Sequence, residues 1–140
     1  MVTLDEIMTT GISTLSPDAT LLELHELMME KHIRHVPIVS DGELQGIVSH
    51  RDLLSATPVT SDQRNTVYTE TKVKDIMQTG VATVSPSTNL RVAAHTLERH
   101  KIGCLPVVED GKLCGIVTDS DFIAIAINLL EQFEYAEDTE

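Results

Sequence analysis

A hydroxyl residue followed three positions later by an aspartate occurs twice in the chain, as Ser49 with Asp52 and as Thr118 with Asp121. Each pair follows an apolar run and opens a helical pattern, so both side chains point the same way across the first helical turn. A carboxylate there can accept both hydroxyl protons of a ribose, in charge-assisted hydrogen bonds of roughly 1.5–3 kcal/mol each. The same pattern is also a good helix N-cap. Capping and ligand binding are compatible, so both interpretations stay open.

The sequence gives less support for a metal site, a catalytic site or a disulfide. The six histidines form neither a His-Glu-x-x-His motif nor a Cys/His cluster, so no metal site is predicted. The sequence contains no glycine-rich phosphate-binding loop followed by a lysine, and no Gly-x-Ser-x-Gly nucleophile motif. The chain is therefore not expected to be an enzyme. Cys104 and Cys114 flank the turn Asp110-Gly111 without facing each other, and both are expected to be small buried thiols in a reducing compartment.

The composition narrows the class of protein. The 140 residues include 10 basic and 22 acidic side chains, for a net charge of −12. That charge argues against binding to nucleic acid or to an anionic membrane, because both need a field of opposite sign. The first eight residues carry no basic, apolar leader, and the longest apolar stretch is too short to span a bilayer. A cytoplasmic location is expected.

An internal repeat organises the chain. Shifting the sequence by 69 positions aligns residues 7–54 with residues 76–123 without a gap, and 18 of these pairs are identical. The identical residues include Pro37 with Pro106 and Gly46 with Gly115. The chain is therefore interpreted as a tandem duplication, with one copy over 3–56 and the other over 72–130. A polar linker over 57–71 is predicted between them, and residues 131–140 are predicted to be a helix end and an acidic tail.

Each copy has the same sequence of predicted elements. A short strand at Thr14-Leu15 or Thr83-Val84 ends at Ser-Pro. A helix follows, capped by Thr20 or Asn89. Two strands then flank an Asp-Gly turn typical of a type I′ hairpin, and a second helix begins at Ser49 or Thr118. The predicted fold is α/β with a mixed sheet, in which two β-α-β-β-α copies pack around a pseudo-twofold axis because one copy alone would be marginally stable.

The repeated pattern Ile-Met-x-x-Gly, Ser-Pro, Pro-x-Val-x-Asp-Gly-x-Leu-x-Gly-Ile-Val and a closing Asp resembles the CBS motif, named for cystathionine β-synthase. It covers essentially residues 3–130, and two such motifs in tandem form a Bateman module. The free-standing pair with a long final helix is most similar to AcuB-type acetoin-utilisation proteins. The resemblance implies two clefts between the copies that bind an adenosyl ligand as effector: AMP, ADP, ATP or S-adenosylmethionine.

The resemblance also assigns residues to the clefts. The ribose would bind at Thr118 and Asp121, and at Ser49 and Asp52. The adenine would lie between the first two strands of a copy, although the aliphatic residues there could instead be sheet core, and for Val81 and Leu105 the sheet core is the favoured interpretation. The adenine residues would be Val81, Ala82, Thr83, Cys104, Leu105 and Pro106 in copy two, and Ile12, Ser13, Thr14, His35, Val36 and Pro37 in copy one.

Arg34, His35 and Arg51 are the residues predicted to bind phosphates. The resemblance implies the two arginines, because basic residues commonly occupy their positions in family members. Copy two has Gly103 and Ser120 in place of the two arginines. If copy one supplies its cations to the ligand of copy two, an anionic nucleotide binds more tightly at Asp121 than at Asp52. Surface ion pairing of Arg34 and Arg51 with acidic side chains is the alternative.

The final helix predicts an assembly. It carries seven apolar residues, which is more apolar surface than one small sheet can cover. These residues are Phe122, Ile123, Ile125, Ile127, Leu129, Leu130 and Phe133. We expect a homodimer through helices, as CBS pairs commonly form, or a helix folded back over its own chain. The expected function is a non-catalytic sensor that acts on an unidentified regulated enzyme; the alternative is a dimerisation or regulatory subunit that binds no ligand.

Overall fold

The computed structural model describes residues 2–139, in which four strands form one sheet and five α-helices cover it. The helices are α1 (Leu21–Lys31), α2 (His50–Ala56), α3 (Ser61–Glu70), α4 (Leu90–His100) and α5 (Asp119–Thr139). The strands are β1 (His35–Ser40), β2 (Glu43–Ser49), β3 (Cys104–Glu109) and β4 (Lys112–Thr118). Two short 3-10 helices, Leu4–Glu6 and Val73–Asp75, lie at the starts of the two copies.

The two hairpins of the sheet have the same geometry. His35 pairs with Ser49 in one and Cys104 pairs with Thr118 in the other, and both contain a register shift two residues before the end of the first strand. Their turns have positive φ at both central residues, as a type I′ hairpin requires. The strand order is β1-β2-β4-β3, joined in the middle where Glu43 pairs with Lys112. The predicted mixed α/β fold with pseudo-twofold packing is confirmed.

The first strand predicted in each copy is reduced to a single bridging residue. Leu15 forms a parallel bridge with Ile38, and Val84 forms one with Val107. Each ladder stops there because the next two residues are Ser-Pro, and proline has no N–H to donate. The three-stranded sheet expected for each copy is therefore two strands and a bridge.

The polar linker predicted over 57–71 contains a helix. Residues 61–70 form α3, whose Val67 and Tyr68 pack against the core of copy one. The two adjacent apolar residues give no helical periodicity, which is why the sequence predicted no regular structure. At the other end, α5 continues to Thr139 through most of the predicted acidic tail, and Glu140 lies outside the described residues.

The first segment of each copy packs on the other copy. Leu4, Ile7 and Met8 contribute to the core of copy two, with Leu97, Leu105 and Val117 among its buried residues. Val73, Ile76 and Met77 contribute to the core of copy one in the same way. Residues 2–9 and 71–78 are called the arms. The exchange makes each core incomplete without the other copy, and it determines which residues meet between them.

The arms are held by paired backbone hydrogen bonds. Thr9 exchanges hydrogen bonds with Ile116 of β4, at 3.0 and 3.1 Å. Gln78, which is 69 positions after Thr9, does the same with Ile47 of β2, at 3.0 and 2.9 Å. The second arm thus ends beside the turn from β2 to α2, where Ser49 and Asp52 lie.

Candidate functional site

A cleft of about 680 Å³ opens between the two copies, within the range of small-molecule sites in proteins. Copy one contributes the turn from β2 to α2 and the start of β1. Copy two contributes the end of its arm and the segment between α4 and β3. The lining residues are Arg34, His35, Ile47, Ser49, His50, Arg51, Asp52 and Leu54 from copy one, and Gln78, Val81, His100, Lys101, Ile102, Gly103, Cys104 and Asp119 from copy two.

Asp52 combines a structural role with a free acceptor. Its Oδ2 accepts a hydrogen bond of 2.8 Å from the Ser49 N–H, while Ser49 Oγ accepts one of 3.1 Å from the Asp52 N–H. This reciprocal pair is a capping box, so the capping interpretation is confirmed. The second oxygen, Oδ1, accepts a bond of 3.2 Å from the Gln78 side chain across the cleft. A carboxylate has about four acceptor sites, so this side chain can still bind hydroxyl groups of a ligand.

Beside this carboxylate lies an apolar contact between the copies. Ile47, Cys104 and Ile116 are buried together, with Ile12 and Val81 packed against them. Val81 and Cys104 both face the cleft. Two of the residues predicted for the adenine slot of copy two therefore lie next to Ser49 and Asp52 of copy one, and the exchange of arms is the cause.

Several other residues predicted to contact adenine are part of the sheet core. Val36 and Leu105 are fully buried in the cores of copy one and copy two. Pro37 and Pro106 are buried on β1 and β3, where their carbonyls accept hydrogen bonds from Leu15 and Val84. The remaining predicted residues of the slots are half-buried or exposed, namely Ile12, Ser13, Thr14, Ala82 and Thr83.

The cleft gathers cations in a strongly acidic protein. Arg34, Arg51 and Lys101 line it, together with the carboxylates of Asp52 and Asp119. The arginines are at positions predicted from the sequence. Lys101 follows α4 in a left-handed conformation (φ 52°) and was not predicted, because nothing in the sequence indicates that this turn faces the other copy. Gln78 was missed for the same reason.

His35 lies in the cleft at a point where the two copies meet. A side chain at Gly103 would meet His35 Cε1 at 3.3 Å and Asp119 Oδ2 at 3.4 Å, so both groups lie against this glycine. Burial lowers the pKa of His35, and the nearby Arg34 lowers it further, while Asp119 and Asp52 act in the opposite direction. His35 is therefore held mainly neutral between two carboxylates.

Thr118 and Asp121 lie at the pseudo-symmetric position and are not among the described residues that line this cleft. Asp121 Oδ2 accepts hydrogen bonds from the Thr118 N–H at 2.9 Å and from Thr118 Oγ1 at 3.3 Å. The Asp121 carboxylate thus holds both the N–H and the hydroxyl of Thr118 at the start of α5. The structure brings Arg34, His35 and Arg51 together with Ser49 and Asp52 in this cleft.

The cysteines are unpaired, as predicted. Burial, with smaller effects from Asp119 and Asp121, raises the pKa of the Cys104 thiol to about 12, so it stays protonated at neutral pH. Cys114 is half-buried and donates a hydrogen bond of 3.3 Å to the Val107 carbonyl. Within residues 2–139, the acidic, histidine and cysteine side chains form no group of three or more that could hold a metal ion. None of the helices described over that range has the length and apolar character needed to cross a bilayer.

Comparison with known proteins identifies the family. The sequence model of the CBS domain matches residues 4–58 and 73–128, which together are most of the chain. The chain belongs to the CBS domain family. An acetoin utilization protein (AcuB) from Vibrio cholerae has a similar structure, with 44% sequence identity and a TM-score of 0.80 over 96% of this chain and 97% of that one. The predicted resemblance is confirmed.

Two further relatives match this chain over most of their own length. CBSX2, a CBS-pair protein of Arabidopsis thaliana, has been solved in complex with AMP. That complex is 32% identical to this chain, with a TM-score of 0.78 over 92% of this chain and 98% of that one. The CBS domain-containing protein YhcV of Bacillus subtilis is 31% identical over 91% of this chain and 86% of its own length. Other relatives are longer: the chain spans 41% of one and 22% of another.

Proposed function

We propose that this CBS pair is a non-catalytic sensor that binds an adenosyl ligand in the cleft between its two copies. The observation that carries the proposal is the meeting of three kinds of group in one cleft. A ribose acceptor (Asp52), an apolar wall (Val81 with Cys104) and cations (Arg34 and Arg51) all line it. AMP, ADP, ATP and S-adenosylmethionine share the adenosyl group that these residues suit, and they differ in the charge that the cations would meet.

Each part of the ligand has a partner in this arrangement. The adenine would lie against Val81 and Cys104, whose apolar surfaces suit a flat ring. The ribose hydroxyls would donate to Asp52, and phosphates would bind Arg34, Arg51 and Lys101. Arginine suits phosphate because its planar guanidinium can donate two parallel hydrogen bonds. The AMP complex of CBSX2 supports the class of ligand, since that protein is 32% identical over most of this chain.

The geometry favours Asp52 over Asp121 for an anionic ligand. From the sequence we expected the reverse, on the assumption that the cations of copy one serve a ligand bound at Asp121. In the structure the same cations line the cleft of Asp52, and Lys101 of copy two joins them. The site at Thr118 and Asp121 is proposed as a second, weaker site with fewer cations.

Isothermal titration of AMP, ADP, ATP, S-adenosylmethionine and adenosine into the full chain tests the proposal. Asp52→Asn should weaken the tightest site about 10- to 150-fold, the range for one lost hydrogen bond to a charged group. Asp121→Asn is the matched control, because the asparagine oxygen can still accept the capping bond in both variants. Loss of the tight site in Asp121→Asn instead would favour the ranking expected from the sequence. No binding of any of the five compounds would overturn the sensor function.

We further propose that the chain forms a homodimer and regulates an enzyme in the cytoplasm. The exposed apolar residues of α5, among them Ile127 and Leu130, support the dimer. The same surface supports the second candidate function, a dimerisation or regulatory subunit that binds no ligand. A dimer that shows no thermal shift with any adenosyl compound would favour this second function.

A further inference from the structure

The second arm of the chain ends beside the carboxylate of Asp52. The side-chain amide of Gln78 donates a hydrogen bond of 3.2 Å to Asp52 Oδ1, from copy two to copy one. A carboxylate only accepts, so the amide presents its NH2 group to Asp52, and its carbonyl oxygen Oε1 remains available as an acceptor. Both side chains line the cleft. Two acceptor groups from different copies therefore lie next to each other.

The bond from Gln78 is not part of the helix cap. The capping box of α2 is complete without it, because the box uses the other oxygen of Asp52. In copy two, the described residues give Asp121 side-chain hydrogen bonds from Thr118 alone, and the arm residue at the position of Gln78 is Thr9. A role of Gln78 in the cleft explains the contact better than a role in holding the helix.

The end of the second arm follows the shape of an adenosyl group. Its backbone is fixed on β2, where Gln78 exchanges hydrogen bonds of 3.0 and 2.9 Å with Ile47. Gly80 then has a φ of 62°, a left-handed conformation that favours glycine, and Val81 lines the cleft three residues after Gln78. In the proposed function the adenine lies against Val81 and the ribose at Asp52. One short segment can therefore contact both the base and the sugar.

The two hydroxyls of a ribose need two acceptors at this point. Asp52 Oδ2 accepts the Ser49 N–H, and Oδ1 accepts the amide of Gln78. A carboxylate oxygen has about two acceptor sites, so Oδ1 has one site left beside the amide. The amide oxygen of Gln78 supplies the next acceptor. Two adjacent hydroxyl donors thus match two adjacent acceptors, one charged and one neutral.

We propose that Gln78 determines specificity for the ribose: one hydroxyl donates to Asp52 Oδ1 and its neighbour donates to Gln78 Oε1. The proposal rests on the adenosyl ligand of the proposed function and refines its contact with the sugar. It defines the effector as an adenosyl compound with both ribose hydroxyls free. A deoxyadenosyl compound loses one of the two bonds, and a phosphate on either hydroxyl would face the Asp52 carboxylate.

Titration calorimetry of AMP, 2′-deoxy-AMP and 3′-deoxy-AMP into the full chain tests the proposal. The parent chain should prefer AMP to both analogues. Gln78→Met should remove the preference over one analogue, which is roughly 2- to 12-fold for one neutral hydrogen bond. The preference over the other analogue should remain, because Asp52 still accepts that hydroxyl. Gln78 is exposed, so the substitution leaves the core intact.

Thr9→Met is the matched control. Thr9 is exposed at the same position of the first arm and is not among the described residues that line the cleft. This variant should keep both preferences of the parent chain.

The ratios of the affinities separate recognition from positioning. If Gln78 only held Asp52 in place, Gln78→Met would weaken all three ligands by the same factor and leave both preferences unchanged, and the proposal would be wrong. A parent chain that binds AMP and both deoxy analogues equally would also overturn it, while the sensor function would stand. No binding of AMP would overturn it together with AMP as the ligand of the cleft.

Adenosine 3′,5′-bisphosphate separates this recognition from attraction between charges. It carries more negative charge than AMP, so the arginines of the cleft alone would favour it. We expect it to bind about tenfold more weakly than AMP or worse, because its 3′ phosphate replaces a hydroxyl donor and faces Asp52. Binding as tight as that of AMP would overturn the requirement for two free hydroxyls.

Discussion

At the scale of single residues, His35 in the cleft makes the folding stability depend on pH. Burial lowers its pKa below the usual 6.5, so the folded protein binds this proton less readily than the unfolded chain does. As the pH falls below about 6.5 the unfolded state takes up the proton first, and this part of the folding stability is lost. The stability that His35 contributes is therefore present above that pH and decreases below it. Asp119, Asp52 and Arg34 are the charged groups that face the ring.

His35→Gln should reduce this pH dependence. Urea unfolding at about pH 7.5 and pH 5.5 should show a smaller loss of free energy of unfolding in the variant than in the parent chain. His95→Gln is a suitable control, because His95 is an exposed residue on α4. An equal pH dependence in the parent chain and the His35 variant would show that His35 titrates alike in the folded and unfolded states.

Arg51 should distinguish ligands by their phosphates. It is exposed at the start of α2 and lines the cleft beside Asp52. Arg51→Ala should weaken ATP about tenfold or more, as expected for the loss of a charge-assisted hydrogen bond, while adenosine should bind almost unchanged. Titration calorimetry with both ligands measures the difference, and Arg64→Ala in the linker helix is the control. Equal losses for ATP and adenosine would mean that Arg51 does not bind phosphate.

The sequence predicted the kinds of residue in the cleft better than their grouping. Ser49, Asp52, Arg34 and His35 could be found because the duplicated motif marks them. Val81 was grouped with the aspartate of its own copy, because a repeat is naturally interpreted as a unit that folds on itself. Contacts between residues distant in sequence determine which copy an arm packs against. A local sequence pattern does not predict such contacts.

At the scale of elements, two glycines allow the arms to cross the sheet. A Cβ at Gly46 would lie 2.6 Å from the Gln78 carbonyl oxygen and 2.9 Å from Met77 Sδ. At Gly115, 69 positions later, the three nearest atoms would all belong to the Met8 side chain. The space beside Gly46 is thus restricted mainly by the backbone of Gln78. The space beside Gly115 is restricted by the flexible side chain of Met8.

Substitution of these glycines should separate the two cases. Gly46→Ala and Gly115→Ala should each lower the free energy of unfolding by about 1–3 kcal/mol, the usual cost of overpacking. Met8→Ala should largely relieve Gly115→Ala, whereas Met77→Ala should not relieve Gly46→Ala, because the Gln78 backbone stays in place. Double-mutant cycles of urea unfolding measure both couplings. Similar relief in the two copies would mean that the backbone at Gln78 yields as easily as a side chain.

The elements themselves differ in how well local sequence determines them. The hairpins and the helix starts were predicted because Asp-Gly turns and N-cap residues act within a few positions; Thr20 and Asn89 accept the expected capping bonds. The helix α3 was not predicted. It is polar apart from Val67 and Tyr68 and has no buried residue, so the packing of these two side chains on the core of copy one stabilises it rather than an apolar stripe.

At the scale of the whole molecule, the cleft has one wall in common with an apolar groove of about 530 Å³ between α4 and α5. Lys101, Ile102, Gly103 and Asp119 line both. A ligand phosphate would bind Lys101 from the side of the cleft, and in the proposed homodimer a second copy packed on α5 would approach it from the side of the groove. Nucleotide binding in the cleft and dimerisation at the groove are therefore expected to be coupled. Thermodynamic linkage then requires ATP to change the dimer affinity by the same factor as dimerisation changes the ATP affinity.

We expect ATP to weaken the dimer because its phosphates and a second copy of this strongly acidic chain compete for the charge of Lys101. The dimer dissociation constant, measured by sedimentation, should rise about fivefold or more at saturating ATP, the lower end of typical coupling between sites, and should change little with adenosine. Lys101→Asn should abolish the difference between the two ligands, since asparagine removes the charge and tolerates the left-handed backbone at this position. The reciprocal measurement is the affinity for ATP below and above the dimer dissociation constant. An ATP affinity that is the same at both protein concentrations would show that the two surfaces act independently, although they have this wall in common.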